Sequence, residues 1–223
     1  MDSISTINPG PFVLASVLSG YPDQNYLVCV SELLKDKDFE ILQPLQNKLE
    51  QLIGNKDFNV EELSSEYLSI FDLSKSLNPL YETEYGRERS MFKTNELSDI
   101  AGFYKAFGFD FVDGTEMIDH VSVELEFYSL MMMKLIYLQN EKDLEGVAIV
   151  SDGMLKFMRD HLGRFVSSIL LRPRVMESQY YSCVFQWIEQ LVLQECKRLN
   201  INPELQGWFS VSQAEEEVSC AQI

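Results

Sequence analysis

Two aspartate–histidine pairs, Asp119–His120 and Asp160–His161, contain both histidines of the chain and are its clearest candidates for chemistry. A carboxylate beside an imidazole can support acid–base catalysis near neutral pH. A catalytic site needs more converging groups, however, and the chain lacks the phosphate-binding patterns GxGxxG and GxxxxGKS/T and the nucleophile motif GxSxG. Its four cysteines are scattered without a CxxC, so the ligand set of a zinc site is also missing. We therefore predict no catalytic residue and no metal site.

The first of these pairs begins the segment that organises the chain. From Asp119 to Leu138 there is no glycine or proline, which predicts one helix of about twenty residues. Asp119 is the expected N-cap, since its carboxylate can accept hydrogen bonds from the free amides of the first turn. Apolar side chains cover a broad side of this helix, so we expect it to be central to its domain.

Glu124 interrupts the apolar side of the predicted helix. It falls one turn after His120, so the two side chains can meet at i, i+4. One interpretation is a structural pair at a helix start, because a buried carboxylate needs a partner. The other is a polar recognition site at the mouth of a groove. The spacing alone is compatible with both.

The rest of the chain is also predicted to be helical, with no strand alternation and no internal repeat. An irregular stretch from Asp72 to Thr94 is long for a loop in a helical protein and is therefore a functional candidate. The connection from Phe109 to Met117 could act as a hinge, and lobe exchange through it would convert a monomer into a homodimer. We predict an N-terminal helical lobe, a C-terminal helical lobe and a flexible acidic tail, over residues 1–117, 118–202 and 203–223.

Composition and charge limit the partners. The chain has 35 acidic and 18 basic residues, giving a net charge of −17. Such a surface disfavours nucleic acid, whose phosphates need basic groups, and suits a basic peptide or protein. The alternative is that the charge serves only solubility. The scattered cysteines and the absence of a signal peptide or a membrane-spanning apolar stretch predict a cytoplasmic protein that does not insert into membranes.

Four segments match the motifs of one known family. Glu66–Phe71 followed by Asn78–Tyr85 is similar to a YxxLF…PPYESxY region, and Leu97–Gly108 is similar to a helix that ends in YxxxG. Ile118–Phe127 is similar to a PxDH(I/L)xxELEFM signature, and Arg159–Phe165 is similar to a DHLxxW segment. In this order they resemble the TorD/DmsD/NarJ family of molybdoenzyme-assembly chaperones, which are nitrate reductase delta subunit-like proteins. The chain lacks the proline that precedes the Asp-His pair in the signature, and Asn78 replaces the first proline of the loop motif. These differences leave open its subgroup within the family and the enzyme that it would assist.

The resemblance implies an all-α, TorD-like bundle of about nine to eleven helices that has no cofactor and no enzymatic activity. It implies a cytoplasmic chaperone that binds the N-terminal segment of a molybdopterin oxidoreductase catalytic subunit, often a twin-arginine leader peptide. Binding would aid cofactor insertion and delay export until the enzyme is folded. Cofactor-biosynthesis proteins are further candidate partners. Two alternatives are a permanent structural subunit of an oxidoreductase complex and a nucleotide-binding helical enzyme.

Carried over by position, the resemblance also implies a peptide-binding site. Its carboxylates would bind guanidinium groups, and its aromatic side chains would contact the apolar part of the leader. Each residue has a structural alternative, since Asp119 can be only an N-cap, Phe71 only a core residue and Tyr81 only an anchor of the loop. The first choices are Asp119 and His120, and the others are Glu124, Glu126, Tyr81, Glu82, Tyr85 and Phe71.

Overall fold

The computed structural model describes residues 7–35, 43–56, 58–72, 78–86, 89–109 and 116–207. Within these ranges the chain forms ten α-helices and no strand, which confirms the all-α prediction. A π-helical turn follows the fourth helix at Leu68–Asp72, another follows the seventh at Met158–Leu162, and a short 3-10 turn spans Glu82–Glu84. The helices are α1 (Gly10–Ser19), α2 (Tyr26–Leu33), α3 (Gln43–Ile53), α4 (Val60–Tyr67), α5 (Arg89–Ala106), α6 (Val121–Glu141), α7 (Leu144–Phe157), α8 (Gly163–Ile169), α9 (Pro173–Glu177) and α10 (Gln179–Leu199).

Polar side chains define several of the helix ends. The Asn59 side chain caps α4 by accepting a hydrogen bond from Glu61 N at 2.9 Å. Ser178 separates α9 from α10, because its hydroxyl accepts from Tyr181 N at 2.9 Å and so starts the last helix. Asn200 ends that helix in the left-handed conformation, with φ of 53°, which asparagine tolerates better than most residues. These caps follow from local sequence.

The core is organised around α6, as its broad apolar side predicts. This helix packs most extensively against α1 and α7, while α10 packs against α1, α3 and α8. The ring of Tyr128 on α6 contacts that of Phe12 on α1, with centroids 4.8 Å apart. The Tyr128 hydroxyl also donates to Glu195 on α10 at 2.5 Å, and Arg198 forms an ion pair with Glu195. Helices from both predicted lobes therefore share one core, and the division of the chain at residue 117 stays a prediction.

The segment after α10 is anchored over residues 203–207, which we call the C-terminal strap. Gln206 N donates to Arg164 O at 2.8 Å, and the Ser168 hydroxyl donates to Gln206 O at 2.6 Å. Gly86 N donates to Gly207 O at 3.0 Å, which ties the strap to the loop before α5. These bonds hold residues 206 and 207 of the predicted flexible tail, and its remainder, residues 208–223, lies outside the described residues.

Two further sequence predictions concern the connections and membranes. Residues 110–115 of the predicted hinge lie outside the described residues, so the hinge stays a prediction. The described helices include none that is long and apolar enough to cross a membrane.

Candidate functional site

The irregular stretch before α5 contains an ordered loop over residues 78–86, which we call the tyrosine loop. The Asn78 side chain accepts a hydrogen bond from Leu80 N at 3.0 Å and so forms a local turn. The Tyr85 hydroxyl donates to Pro79 O at 2.7 Å and closes the loop from the other end. Tyr85 is fully buried and packs against Phe165 of α8. The loop is therefore rigidly attached to the helical core.

The tyrosine loop pairs with the residues that precede α6. Tyr81 and His120 form an isolated antiparallel bridge, in which Glu82 N donates to Asp119 O at 2.9 Å and Val121 N donates to Leu80 O at 2.8 Å. The Thr83 hydroxyl adds a hydrogen bond to Asp119 Oδ2 at 2.6 Å. Two segments far apart in sequence thus hold the Asp-His pair in place.

The predicted N-cap of α6 is wrong by one residue. The cap is His120, whose Nδ1 accepts a hydrogen bond from Ser122 N at 3.2 Å and lies 2.6 Å from Ser122 Oγ. Asp119 does not cap the helix, because its carboxylate is bound by Thr83 of the loop. Burial lowers the pKa of His120 to about 3, so its ring is neutral and Nδ1 is free to accept.

The predicted pair between His120 and Glu124 is also replaced. The polar neighbour of Glu124 is Glu82 of the tyrosine loop, and both side chains are almost fully buried. Burial raises the pKa of Glu124 well above its usual value, and the charges of Glu82 and Asp119 raise it further. No donor from the described residues reaches the Glu124 carboxyl. The raised pKa favours a protonated Glu124 carboxyl, which can donate a hydrogen bond to Glu82.

His161 lies on the other side of Glu82. Its Nδ1 is 3.2 Å from Glu82 Oε2, and its Nε2 is 3.3 Å from Asp99 Oδ2. Burial lowers the pKa of His161, but the hydrogen bond and charge of Glu82, with Asp99 and Asp160, outweigh burial and raise it overall. Glu82 is therefore buried between the His161 ring and the Glu124 carboxyl, and both groups can hydrogen-bond it. A buried polar group needs such partners.

A cavity of about 470 Å³ opens beside the tyrosine loop. We call it the loop cavity. Ligand sites of small molecules and short segments are commonly of this size. Three of its lining residues, Tyr21, Leu68 and Met117, are exposed apolar side chains, an arrangement that suits an apolar ligand. The full lining is Tyr21, Tyr67, Leu68, Asn78, Tyr81, Glu84, Lys93, Glu116, Met117 and Asp119.

The charged groups of the loop cavity are mostly acidic. Glu84, Glu116 and Asp119 line it, and Lys93 is the only basic residue of that described lining. The Tyr81 hydroxyl donates to Glu116 at 2.9 Å, and Lys93 Nζ lies 2.7 Å from Glu84 Oε1. Asp119 Oδ1 is buried and receives no hydrogen bond from the described residues. The cavity thus offers acidic groups beside apolar surface.

The eight residues predicted as a peptide-binding site fall into three groups. Tyr81 and Asp119 line the loop cavity. His120, Glu82 and Glu124 are buried beneath the loop and form part of its support. The remaining three lie elsewhere: Tyr85 and Phe71 are buried in the core, where Phe71 packs against Tyr67, Tyr181 and Phe185, and Glu126 is exposed on α6 outside the cavity lining.

Sequence reasoning missed Glu84, Lys93, Glu116 and Met117 in the cavity and His161 beneath it. Glu84 lies in the matched tyrosine-loop motif, and His161 lies in the second Asp-His pair, so both could have been found from their motifs. Lys93 had no such signal. The irregular stretch was predicted to continue to Thr94, but α5 already begins at Arg89. Lys93 therefore lies on this helix, from which it reaches the cavity.

Three comparisons with known proteins bear on this chain. A family model described as nitrate reductase delta subunit matches residues 34–170, which is more than half of the chain. Among solved structures, the fold is similar to that of a candidate redox enzyme maturation protein from Archaeoglobus fulgidus, at 20% identity and a TM-score of 0.47. That similarity covers 83% of this chain and 93% of the other. No curated protein matches the chain at a significant level.

Proposed function

Because this chain belongs to the nitrate reductase delta subunit family, we propose that it is a cytoplasmic chaperone for the N-terminal segment of a molybdopterin oxidoreductase catalytic subunit. The family is one of molybdoenzyme maturation and not of catalysis. The finer proposal is that the bound segment is a twin-arginine leader. Holding it would keep the enzyme competent for cofactor insertion and delay its export, and cofactor-biosynthesis proteins would be further partners.

The observation that carries the proposal is the composition of the loop cavity. Its acidic residues can accept hydrogen bonds from guanidinium groups, and a buried acceptor, Asp119 Oδ1, lacks a donor among the described residues. Tyr21, Leu68 and Met117 can contact the apolar residues that follow the basic start of a leader. The net charge of −17 would attract such a basic segment from a distance.

The support beneath the cavity explains why these groups can bind in a fixed geometry. Asp119 is held by Thr83, and the backbone of the tyrosine loop is paired with residues 119–121. A preordered site loses less conformational entropy on binding than a mobile one. The peptide would therefore bind acidic side chains whose positions are fixed before it arrives.

The test is calorimetric titration of the protein with synthetic N-terminal peptides of molybdopterin enzymes from the same source, at low and moderate salt. We expect micromolar or tighter binding that salt weakens. Asp119→Asn should weaken it about tenfold or more, since one charge-assisted hydrogen bond contributes about 1.5–3 kcal/mol. Asparagine retains an oxygen that can accept from Thr83, so the loop should stay in place.

Glu126→Gln is the matched control, because it removes one charge from an exposed position outside the cavity lining. It should leave the affinity unchanged. Absence of binding to every leader, together with a tight, salt-resistant complex with a mature catalytic subunit, would contradict the proposal. That result would favour a permanent structural subunit.

A further inference from the structure

One ion pair inside the loop cavity involves a fixed acid and a mobile base. Lys93 Nζ lies 2.7 Å from Glu84 Oε1, and the two side chains are 39% and 7% exposed. A lysine has a flexible four-carbon stem and can move its ammonium group into water at little cost. The buried glutamate has no comparable route to solvent.

Glu84 is fixed because its backbone is held from several directions. It ends the 3-10 turn Glu82–Glu84, in which Glu84 N donates to Tyr81 O at 3.1 Å. The turn is tied to Asp119 through Glu82 N, and the next residues are tied to the C-terminal strap through Gly86 N. The Glu84 carboxylate therefore stays in the lining of the cavity, while the Lys93 ammonium can move out of the cavity into water.

Resting on the proposed function, we infer that Lys93 is an internal competitor, which occupies Glu84 until an arginine side chain of the bound segment replaces it. Glu84 then exchanges one cationic partner for another, and Lys93 becomes hydrated. The exchange favours arginine over lysine in the ligand. A planar guanidinium group can donate two parallel hydrogen bonds to a carboxylate, whereas an ammonium group makes a single-point contact.

This arrangement has two effects on binding. It gives the Glu84 carboxylate a cationic partner inside the cavity when no ligand is bound. It also lowers the affinity for every cationic ligand by the free energy of the pair that must be broken. Half-exposed ion pairs of this kind contribute little, so the effect on the dissociation constant should be on the order of fivefold.

The experiment measures the affinity of a fluorescent probe peptide with two adjacent arginines followed by an apolar run. Lys93→Met keeps the length of the stem and removes the charge, so the probe should bind about fivefold more tightly. Lys93→Arg keeps the ion pair and should not tighten binding. A probe in which neutral citrulline replaces both arginines should bind the wild type and Lys93→Met equally.

The control variant is Lys156→Met. Lys156 forms an ion pair of the same length, 2.7 Å, with the exposed Asp152, and it lies on α7 outside the cavity lining. The Lys156→Met substitution changes the net charge of the protein by the same amount as Lys93→Met. Equal tightening in both variants would show a general charge effect and would overturn the inference.

A second comparison tests the exchange at Glu84 directly. In a Glu84→Gln background, Lys93→Met should no longer change the affinity for the arginine probe. If Lys93→Met alone unfolds the protein, Lys93→Gln with the same probes gives the same test. Unchanged or weaker binding of the probe to the folded Lys93 variants would overturn the inference and leave the chaperone proposal standing. Failure of the probe to bind any variant would contradict both.

Discussion

Among single residues, Glu124 has the least ordinary environment. It is fully buried on a broad apolar side of α6, and burial, followed by the charges of Glu82 and Asp119, raises its pKa. A protonated Glu124 can donate to Glu82, which also pairs with His161. These neighbours place the Glu124 carboxyl beneath the tyrosine loop, among the groups that support it.

Replacing Glu124 with glutamine should stabilise the protein at neutral pH. With its pKa raised, Glu124 keeps a proton in the folded state that the unfolded chain releases above about pH 4.5, so its contribution to the free energy of unfolding falls as pH rises from that value. Glutamine does not titrate and retains a donor for Glu82. The difference between Glu124→Gln and the wild type should grow by about 1.4 kcal/mol per pH unit until the folded-state pKa is reached. Urea unfolding across this pH range measures it.

Glu126→Gln provides the comparison for that measurement, since Glu126 is exposed two residues further along the same helix. Its stability should stay within about 0.5 kcal/mol of the wild type at every pH. A pH-independent difference for Glu124→Gln would show that Glu124 is ionised in the folded protein.

The sequence could identify Glu124 as an exception but not its partner. Helical spacing placed His120 next to it, because only neighbours along one helix are visible in a periodic pattern. The actual partner, Glu82, arrives from the tyrosine loop. The same limitation applies to Asp119. The sequence pattern does not show that the Thr83 hydroxyl hydrogen-bonds its carboxylate in the folded protein.

At the scale of secondary structure elements, the close contact of α7 with the end of α5 depends on Gly153. A Cβ atom there would lie 2.2 Å from the Phe107 ring and 3.1 Å from Met131 Cε. Gly153→Ala should lower the free energy of unfolding by about 1–3 kcal/mol through overpacking, which outweighs the helix-propensity gain of up to about 1 kcal/mol. Chemical denaturation measures the change.

Gly102→Ala is the matched control for this substitution. Gly102 is exposed within α5, and a Cβ atom there would meet nothing within 4 Å. Because only the helix propensity changes, the free energy of unfolding of this variant should exceed that of the wild type by about 0.5–1 kcal/mol. Opposite signs for the two variants are the expected result, and stabilisation by both would show that Phe107 can move aside freely.

Most helices could be predicted because their periodicity and breakers are local. The π-helical turn at Met158–Leu162 could not, since no local pattern distinguishes it from the α-helices on either side. It carries His161 to Glu82 and is therefore part of the support beneath the cavity. The C-terminal strap was likewise missed, because its backbone hydrogen bonds to Arg164 and Gly86 leave no mark in composition.

For the whole molecule, the net charge of −17 should make stability and binding respond oppositely to salt. Raising sodium chloride from about 0.01 M to about 0.15 M shortens the screening length from about 30 Å to about 8 Å. Screening reduces self-repulsion, so the melting temperature of the free protein should rise by a few degrees while peptide affinity falls. Thermal scans show which effect dominates, because a falling melting temperature would mean that ion pairs such as Arg198–Glu195 outweigh the repulsion.

The fold class and family could be predicted from the sequence, since helical patterning and ordered motifs extend along the chain. The loop cavity could not, because its lining comes from residues between Tyr21 and Asp119 that converge only in three dimensions. Two of the eight predicted site residues line it. The others were matched by motif position, which does not distinguish a residue that lines the cavity from one beneath it, in the core or elsewhere on α6.

The hydrogen bond from Gly86 to Gly207 has a consequence for folding. It joins backbone groups about 120 residues apart in sequence, and closing so long a loop costs entropy before the contact is gained. The tyrosine loop therefore acquires this anchor only when the strap has reached α8, where the Ser168 hydroxyl donates to Gln206 O.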